Sequence, residues 1–298
     1  MFRKWIDPGS ADMNKQGFEP GLIIRGLRQL SKAFIFLLRL TGKTRWSNEF
    51  IQSLDPHVVV DASHLFPDAG REKSRLWFRT GHGRLYWRCR QTVDEEPETN
   101  EWIGSFQPSD VFYDIGANVG VYSLMASKIM GVRTVSIEPD LMNARLLYEN
   151  VIMNGVSERV SVLPFAVAER NYTADFFLKS LSYGDALHNL DEKNPLMVAE
   201  TSLKASVPVF SLDTLVKLLG LPAPTKLKID VDGAEARILK GAEQSLRSVT
   251  SLIVELDKNN PNNEALIEYL AKHGFRLTLQ SMPFTSYNEC SNGLFERI

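Results

Sequence analysis

From Asp110 onward, short continuous apolar runs alternate with stretches whose apolar residues recur every three or four positions. VFYDIG (111–116), TVSIEP (134–139), VSVLPFAVA (160–168), LKIDV (227–231) and SLIVELD (251–257) have the length and residue types of strands buried on both faces. VYSLMASKI, ARLLYENVIMN, LDTLVKLLG (212–220), AEARILKGAEQSLR and NEALIEYLAKHG carry the helical spacing between and after them. FRLTLQS and GLFERI close the chain as two further strands. Apolar strands separated by helices predict an α/β architecture, a parallel sheet covered by helices on both faces. In such a sheet, ligands bind beyond the carboxyl ends of the strands, near the topological switch point.

The first hundred residues read differently. Residues 1–20 have no periodicity and are expected to form a loose tail. Ile23, Leu27, Leu30, Phe34 and Leu37 then share one helix face, with Arg25, Arg28, Lys32, Arg39 and Lys43 on the opposite one. This basic amphipathic helix packs on the protein body, contacts an anionic membrane surface through residues 22–46, or meets a partner; all three readings stay open. HVVVDASHLF, SRLWFR and GRLYWRCRQTV are β-type runs separated by turns, and DEEPETNEW reads as an acidic hinge. The expected organisation is a flexible tail and basic helix over 1–50, a small β-rich segment over 51–100, and the main α/β domain over 101–298.

Composition narrows the setting. Hydrophobic residues make up 44% of the chain and charged ones 23%, ordinary for a globular protein. The net charge of −2 gives no global argument for nucleic acid. The two cysteines, Cys89 and Cys290, make neither a disulfide framework nor a zinc site. A reducing, cytoplasmic setting is expected, peripheral at the membrane if the basic helix binds there. No apolar leader opens the sequence, and AFIFLL (33–38) is too short to span a bilayer.

The candidate chemistry begins at DIGANVG. A dinucleotide turn has the order G-x-G-x-x-G; here Gly116 and Gly120 are present and Asn118 stands at the middle glycine. Asp114, at the strand end, disfavours a phosphate and favours a cation. S-adenosylmethionine carries a sulfonium, an ammonium and a carboxylate, and suits this turn. Gly116 and Ala117 would lie against its methionine part, with Asn118 to Gly120 facing its carboxylate. Glu138, followed by Pro139 at the end of the second strand, stands where an acidic residue accepts the two ribose hydroxyls.

DIGANVGVYS, IEPD, LKIDVDGAEARILKGAEQSL and LIVELD, in this order, resemble the FkbM family of S-adenosylmethionine-dependent methyltransferases. SLDTL (211–215), GLFERI and the upstream EEPETNEWIGSFQPSD also fit, so the resemblance runs from about Asp94 to Ile298. It implies a Rossmann-like seven-stranded class I methyltransferase fold and S-adenosylmethionine as donor. The implied reaction is O-methylation of a sugar or secondary metabolite. It also places Glu98 and Thr99 at the methionine end of the cofactor, unless they form only a turn, and Ala166 beside the adenine.

A hydroxyl acceptor needs help in losing its proton. Candidates end strands four and five: Asp230 and Asp232, two apart and on one strand face, and Glu255, with Asp257 beside it. Two neighbouring carboxylates raise one pKa, as general-base work requires. Asp232 also suits capping of the next helix. His188 in the loop SLSYGDALHNL is either a base or incidental. A set of Asp230, Glu255, Asp257 or Asn259 holding Mg²⁺ is an open alternative, although no tight metal motif is visible. N- or C-methylation, or a S-adenosylmethionine-binding module without chemistry, are the other readings; the acceptor is a small molecule or glycan hydroxyl in the favoured one.

Overall fold

The computed structural model describes residues 57–79, 96–178, 189–191, 203–231, 233–257, 263–281 and 290–298, together with Leu30, Leu85, Cys89 and Gly184. Internal contacts divide the chain into Met1–Ile51 and Gln52–Ile298. The basic helix, apart from Leu30, lies outside the described residues, as do Asp232, His188 and Asn259.

In chain order, a hairpin of β1 (His57–Asp61) and β2 (Arg75–Arg79) precedes α1 (Pro97–Gly104). Next come β3 (Val111–Ile115), α2 (Val121–Leu124, continued by a π-turn over Met125–Ile129), β4 (Arg133–Ile137), α3 (Leu141–Met153) and β5 (Val160–Leu163). An insertion supplies β6 (Ala166–Val167), β7 (Tyr172–Leu178), β8 (Asn189–Leu190) and β9 (Leu203–Phe210). The chain then runs through α4 (Leu212–Leu218), β10 (Lys226–Ile229), α5 (Glu235–Lys240), β11 (Ser251–Asp257), α6 (Asn263–Lys272), β12 (Phe275–Gln280) and β13 (Cys290–Arg297).

The main sheet has seven strands in the order β12-β13-β11-β10-β3-β4-β5. β13 is antiparallel to both of its neighbours, and the other pairs are parallel. The chain winds outward from β3 to β5 and returns on the other side of β3 at β10. The winding therefore reverses between β3 and β10, and this is the switch point. The architecture is Rossmann-like α/β, as the alternation of strand and helix patterns predicts.

Three local expectations change. The run 160–168 is not one strand. It breaks at Pro164, which has no amide hydrogen to donate to a ladder, and β6 joins a second, four-stranded sheet of order β6-β9-β7-β8. The acidic hinge is in part a helix, since Pro97 occupies its first turn. Leu85 and Cys89, the described residues of GRLYWRCRQTV, are helical rather than extended.

The two faces of the main sheet differ in chemistry. One is wholly apolar where Tyr113, Ile115, Leu227, Ile229, Val254 and Leu256 point, in a cluster shared with Leu212, Ile238 and Leu266 of the covering helices. The other holds the aromatic edge contacts that seat α1: Trp102 packs on Phe106 and Phe112 at 4.7 and 5.9 Å between centroids. The Trp102 indole nitrogen donates to Ser251 Oγ at 2.8 Å.

That second face also carries a buried polar row. Ser136, Asp114 and Lys228 are register neighbours on β4, β3 and β10, so their side chains share a face, and none is more than 1% exposed. The Ser123 hydroxyl, from α2, donates to Asp114 Oδ2 at 2.6 Å and lies 2.7 Å from Ser136 Oγ. Lys228 Nζ donates to Asp230 Oδ2 at 2.5 Å and sits 4.8 Å from the centroid of the Tyr122 ring. Burial alone would strip the Lys228 proton; the charges of Asp230, Glu96 and Asp114 outweigh it and hold its pKa above the usual lysine value. Burial pushes the Glu96 and Asp114 carboxyls upward against the opposing pull of Lys228.

Replacing this ammonium leaves acidic groups buried without their counter-charge. Lys228→Met is expected to cost about 3–5 kcal/mol of stability at pH 7 in urea unfolding. Carboxyls whose folded pKa is raised favour the fold in their protonated form, a contribution present at low pH and lost as pH rises through the folded value. The deficit relative to wild type is therefore expected to shrink between pH 7 and pH 5.

Candidate active site

Beyond the carboxyl ends of β3 and β10 the chain forms two loops in direct contact. Asp230 N–H donates to Ile115 O at 3.0 Å. Gly116 has φ 83°, and a Cβ built on it would stand 1.8 Å from the Asp230 carbonyl oxygen. No side chain fits there, which is the physical requirement for this glycine. The amides of Gly116 and Ala117 both donate to Ile137 O, at 3.0 and 3.1 Å, so the turn is laced to the end of β4.

Asn118 adopts φ 49°. Asparagine is among the few residues that tolerate this left-handed region, which is why it can stand where a dinucleotide turn has its middle glycine. Its amide donates to Glu138 Oε2 at 2.8 Å, and Glu138 Oε1 accepts the Asp140 amide at 2.9 Å. These two bonds orient the Glu138 carboxylate. Glu138 is 5% exposed. Pro139 beside it is half-buried, and Asp140 caps α3 by accepting the Met142 amide.

In the loop after β10, Asp232, the sequence-derived partner of Asp230, lies outside the described residues. β10 ends at Ile229, so Asp230 already lies past the strand, and its carboxylate is committed to Lys228. The neighbouring carboxyl that the structure describes is Glu235, a residue the sequence reading did not single out. It is 5% exposed and its Oε1 accepts the Gly233 amide at 3.0 Å. Burial, assisted by the charge of Asp230, pushes its carboxyl up to about 7 against the backbone N–H bonds it receives.

Glu255 is half-buried on β11, directly opposite Asn292 of β13. The Asn292 amide nitrogen reaches Glu96 Oε2 at 2.7 Å, Thr99 Oγ1 at 3.1 Å and Glu98 Oε1 at 3.3 Å. Glu98 and Thr99 thus belong to the start of α1, gathered with Glu96 and Asn292 near the end of β11, rather than to a turn. Ala166 is buried in the short β6, just past the end of β5. The side chain of Asp257 lies outside the described residues. Lys228, Glu96, Glu235 and Asn292 complete the group of polar residues here. A lysine in a strand otherwise patterned for burial is a signal for the first; Asn292 has none in its own segment.

The chemistry of this crevice is acidic. Asp114, Glu96, Asp230 and Glu138 stand against the buried cation Lys228, and Asp114 Oδ1 is buried with no hydrogen-bond partner among the described residues. That donor set fits a sulfonium and an ammonium, with Glu138 for ribose hydroxyls, and does not fit a pyrophosphate. Among the described residues no helix is long and apolar enough to cross a membrane.

Residues 114–277 match the model of the methyltransferase FkbM domain. Hexuronic acid methyltransferase AglP of Haloferax volcanii is 24% identical over 171 residues, which cover 57% of this chain and 65% of that protein. The 31-O-demethyl-FK506 methyltransferase FkbM of Streptomyces tacrolimicus is 26% identical over 208 residues, covering 61% of this chain and 79% of that protein. The chain thus spans just under two thirds of the first relative's length. The crystal structure of methyltransferase FkbM from Methylobacillus flagellatus KT aligns with 70% of this chain and 52% of that one, at 18% identity and a TM-score of 0.47. Since the domain model covers more than half of the 298 residues, the chain belongs to the FkbM family of methyltransferases, with S-adenosylmethionine as its cofactor.

Proposed function

We propose that the protein methylates a hydroxyl group on a carbohydrate or small secondary metabolite. The observation that carries this reading is the pair of carboxyls beyond β10. Asp230 is ion-paired with Lys228 at 2.5 Å, while burial pushes the Glu235 carboxyl up to about 7. One relative, named for a 31-O-demethyl compound, supports transfer to oxygen, and another, named for a hexuronic acid, supports a carbohydrate acceptor.

In this reading Glu138 accepts the ribose hydroxyls, and the acidic group of Asp114 and Glu96 faces the cationic end of the cofactor. When bound, S-adenosylmethionine supplies an electrophilic methyl group on a sulfonium. Gly116 and the Asp230 loop bring the donor turn and the acceptor loop against one another, which is the proximity that an in-line displacement needs. Glu235 Oε2 receives the acceptor hydroxyl's proton, and Asp230 raises that basicity by its charge. Asp232, Glu255 and His188 are further acceptor-side candidates on the sequence alone.

Titration calorimetry with S-adenosylhomocysteine is expected to show micromolar binding that Glu138→Ala weakens by tenfold or more. NAD is expected not to bind. Failure of the wild-type protein to bind the thioether would overturn the site assignment.

With a hydroxylated acceptor such as a uronic acid glycoside, kcat/KM is expected to rise with pH through about 7, because only the ionised Glu235 accepts a proton. Glu235→Gln, which keeps the acceptor for the Gly233 amide, is expected to abolish that limb and lower turnover by roughly 10²–10⁴-fold. An unchanged pH profile in this variant would remove Glu235 from the role.

A further inference from the structure

Helix α3 presents one inward face that serves several elements at once. Positions 143, 147, 150 and 154 follow the four-three-four spacing of a single helix stripe. Leu147 lies directly beneath Gly120 of the cofactor turn, where a Cβ would meet its Cδ1 at 2.2 Å. Asn143 Oδ1 accepts the Gly184 amide at 2.7 Å.

The two remaining asparagines hold the N-terminal hairpin. Asn154 Oδ1 accepts the Trp77 amide at 3.0 Å, and its Nδ2 donates back to Trp77 O at 2.7 Å. Asn150 Oδ1 accepts the Arg79 amide at 2.8 Å. Two residues along a strand advance about 6.6 Å and four along a helix about 6 Å. The side-chain amides at 150 and 154 therefore meet β2 at alternate residues, as a neighbouring strand would. Arg79 adds an ion pair to Glu149 at 2.9 Å.

Asn150 does something Asn154 does not. It is fully buried, and its Nδ2 donates to the carbonyl of Val119 at 2.9 Å. Val119 stands between Asn118 and Gly120, whose φ values are 49° and 89°. Gly120 takes up this region freely, but a non-glycine residue held there carries a cost that its surroundings must offset, and that residue is Asn118. Here the Asn118 amide is held by Glu138, the Gly120 amide donates to Ala117 O at 2.8 Å, and the intervening carbonyl is held by Asn150.

We infer that Asn150 is a positioning residue for the cofactor turn, its amide braced from behind by the β1–β2 hairpin. The hairpin is then a support of the donor site, although no residue of it belongs to the segment that matches the family domain. This inference rests on the assignment of the DIGANVG turn to S-adenosylmethionine. Loss of the Val119 bond frees the turn, and with it the Asn118–Glu138 contact that orients the ribose acceptor.

The test compares Asn150→Asp with Asn154→Ala. The first keeps Oδ1 for the Arg79 amide and replaces the donor to Val119 by an acceptor. The second releases Trp77 but leaves in place both the Arg79 bond that braces Asn150 and the Asn150 bond to Val119. Thermal unfolding and calorimetry with S-adenosylhomocysteine are run on both and on wild type, with KM for donor and acceptor measured separately. Asn150→Asp is expected to lose about tenfold in thioether affinity and to raise KM for the donor but not for the acceptor. Asn154→Ala is expected to lower Tm while binding within twofold of wild type. Equal affinity in Asn150→Asp and wild type would overturn the inference, as would equal losses in the two variants. Asn150→Ser, too short to span both partners, stands in under the same criteria if Asn150→Asp does not fold. Wild-type protein that does not bind the thioether would instead overturn the cofactor-site assignment, and this inference with it.

Discussion

A fully buried ammonium at the centre of a sheet has to be surrounded by charge, and the site is organised by how Lys228 meets that demand. Removing an ammonium from water costs several kcal/mol even after relaxation. Asp114 answers from the neighbouring strand, Asp230 from the loop that ends its own strand, and Glu96 from the residue before α1. Satisfying one charge therefore draws three separate segments to the carboxyl end of β10. Acid exceeds base in the result. A crevice with that balance is suited to a cationic donor and hostile to phosphate.

The division of labour between the sheet's two faces follows from this. The face packed by Leu212, Ile238 and Leu266 is apolar and carries cohesion. The face beneath α1 and α2 carries the polar row, and its stability rests on complete pairing more than on burial. The Ser123 hydroxyl solvates Asp114 in place of water and is itself backed by the Ser136 hydroxyl, Asn292 gathers Glu96, Glu98 and Thr99, and the Trp102–Phe106–Phe112 aromatics pack at the far end. On the outer flank, α3 does the corresponding work for the glycine turn, with Leu147 filling the space below Gly120 and side-chain amides holding backbone that has no strand partner.

Legibility in the sequence divides along the same line. The order of strands and helices and the turn at Gly116 were readable because each is encoded locally: apolar runs, a glycine where only glycine fits, an acidic residue at the end of the next strand. Glu138 was readable by its spacing from the turn. Features built from distant segments were not. Lys228 meets Glu96 across 132 positions and Asn292 meets Glu96 across 196, and no local pattern announces either meeting. The inserted four-stranded sheet was hidden for a different reason. Pro164 is a single residue inside an apolar run, so 160–168 looked continuous; β7 and β9 do alternate, with Ala174, Phe176 and Leu178 and then Val207 and Val209 buried, a period-two signal the sequence reading did not use. The strand-face argument for Asp230 and Asp232 reached too far, since a spacing of two shares a face only while the strand continues, and β10 stops at Ile229; Asp232 itself lies outside the described residues.

In the proposed transfer to a hydroxyl, the end of β10 at Ile229 bears on how the acceptor loses its proton. Two carboxyls in one site take separate roles when their environments push their pKa values apart. A pair on one strand face, equally exposed, would separate only by mutual repulsion. Asp230 and Glu235 are separated by their surroundings instead: one is paired with a buried ammonium, the other is enclosed by the loop whose amide it accepts. The charge of Asp230 then acts on Glu235 in the direction base chemistry needs, making the neutral acid easier to form. Lys228 fixes the Asp230 carboxylate in place through their 2.5 Å ion pair, so the charge that acts on Glu235 is held where the fold puts it. The residue that holds the fold's acidic centre together thus also sets the proton affinity at its mouth.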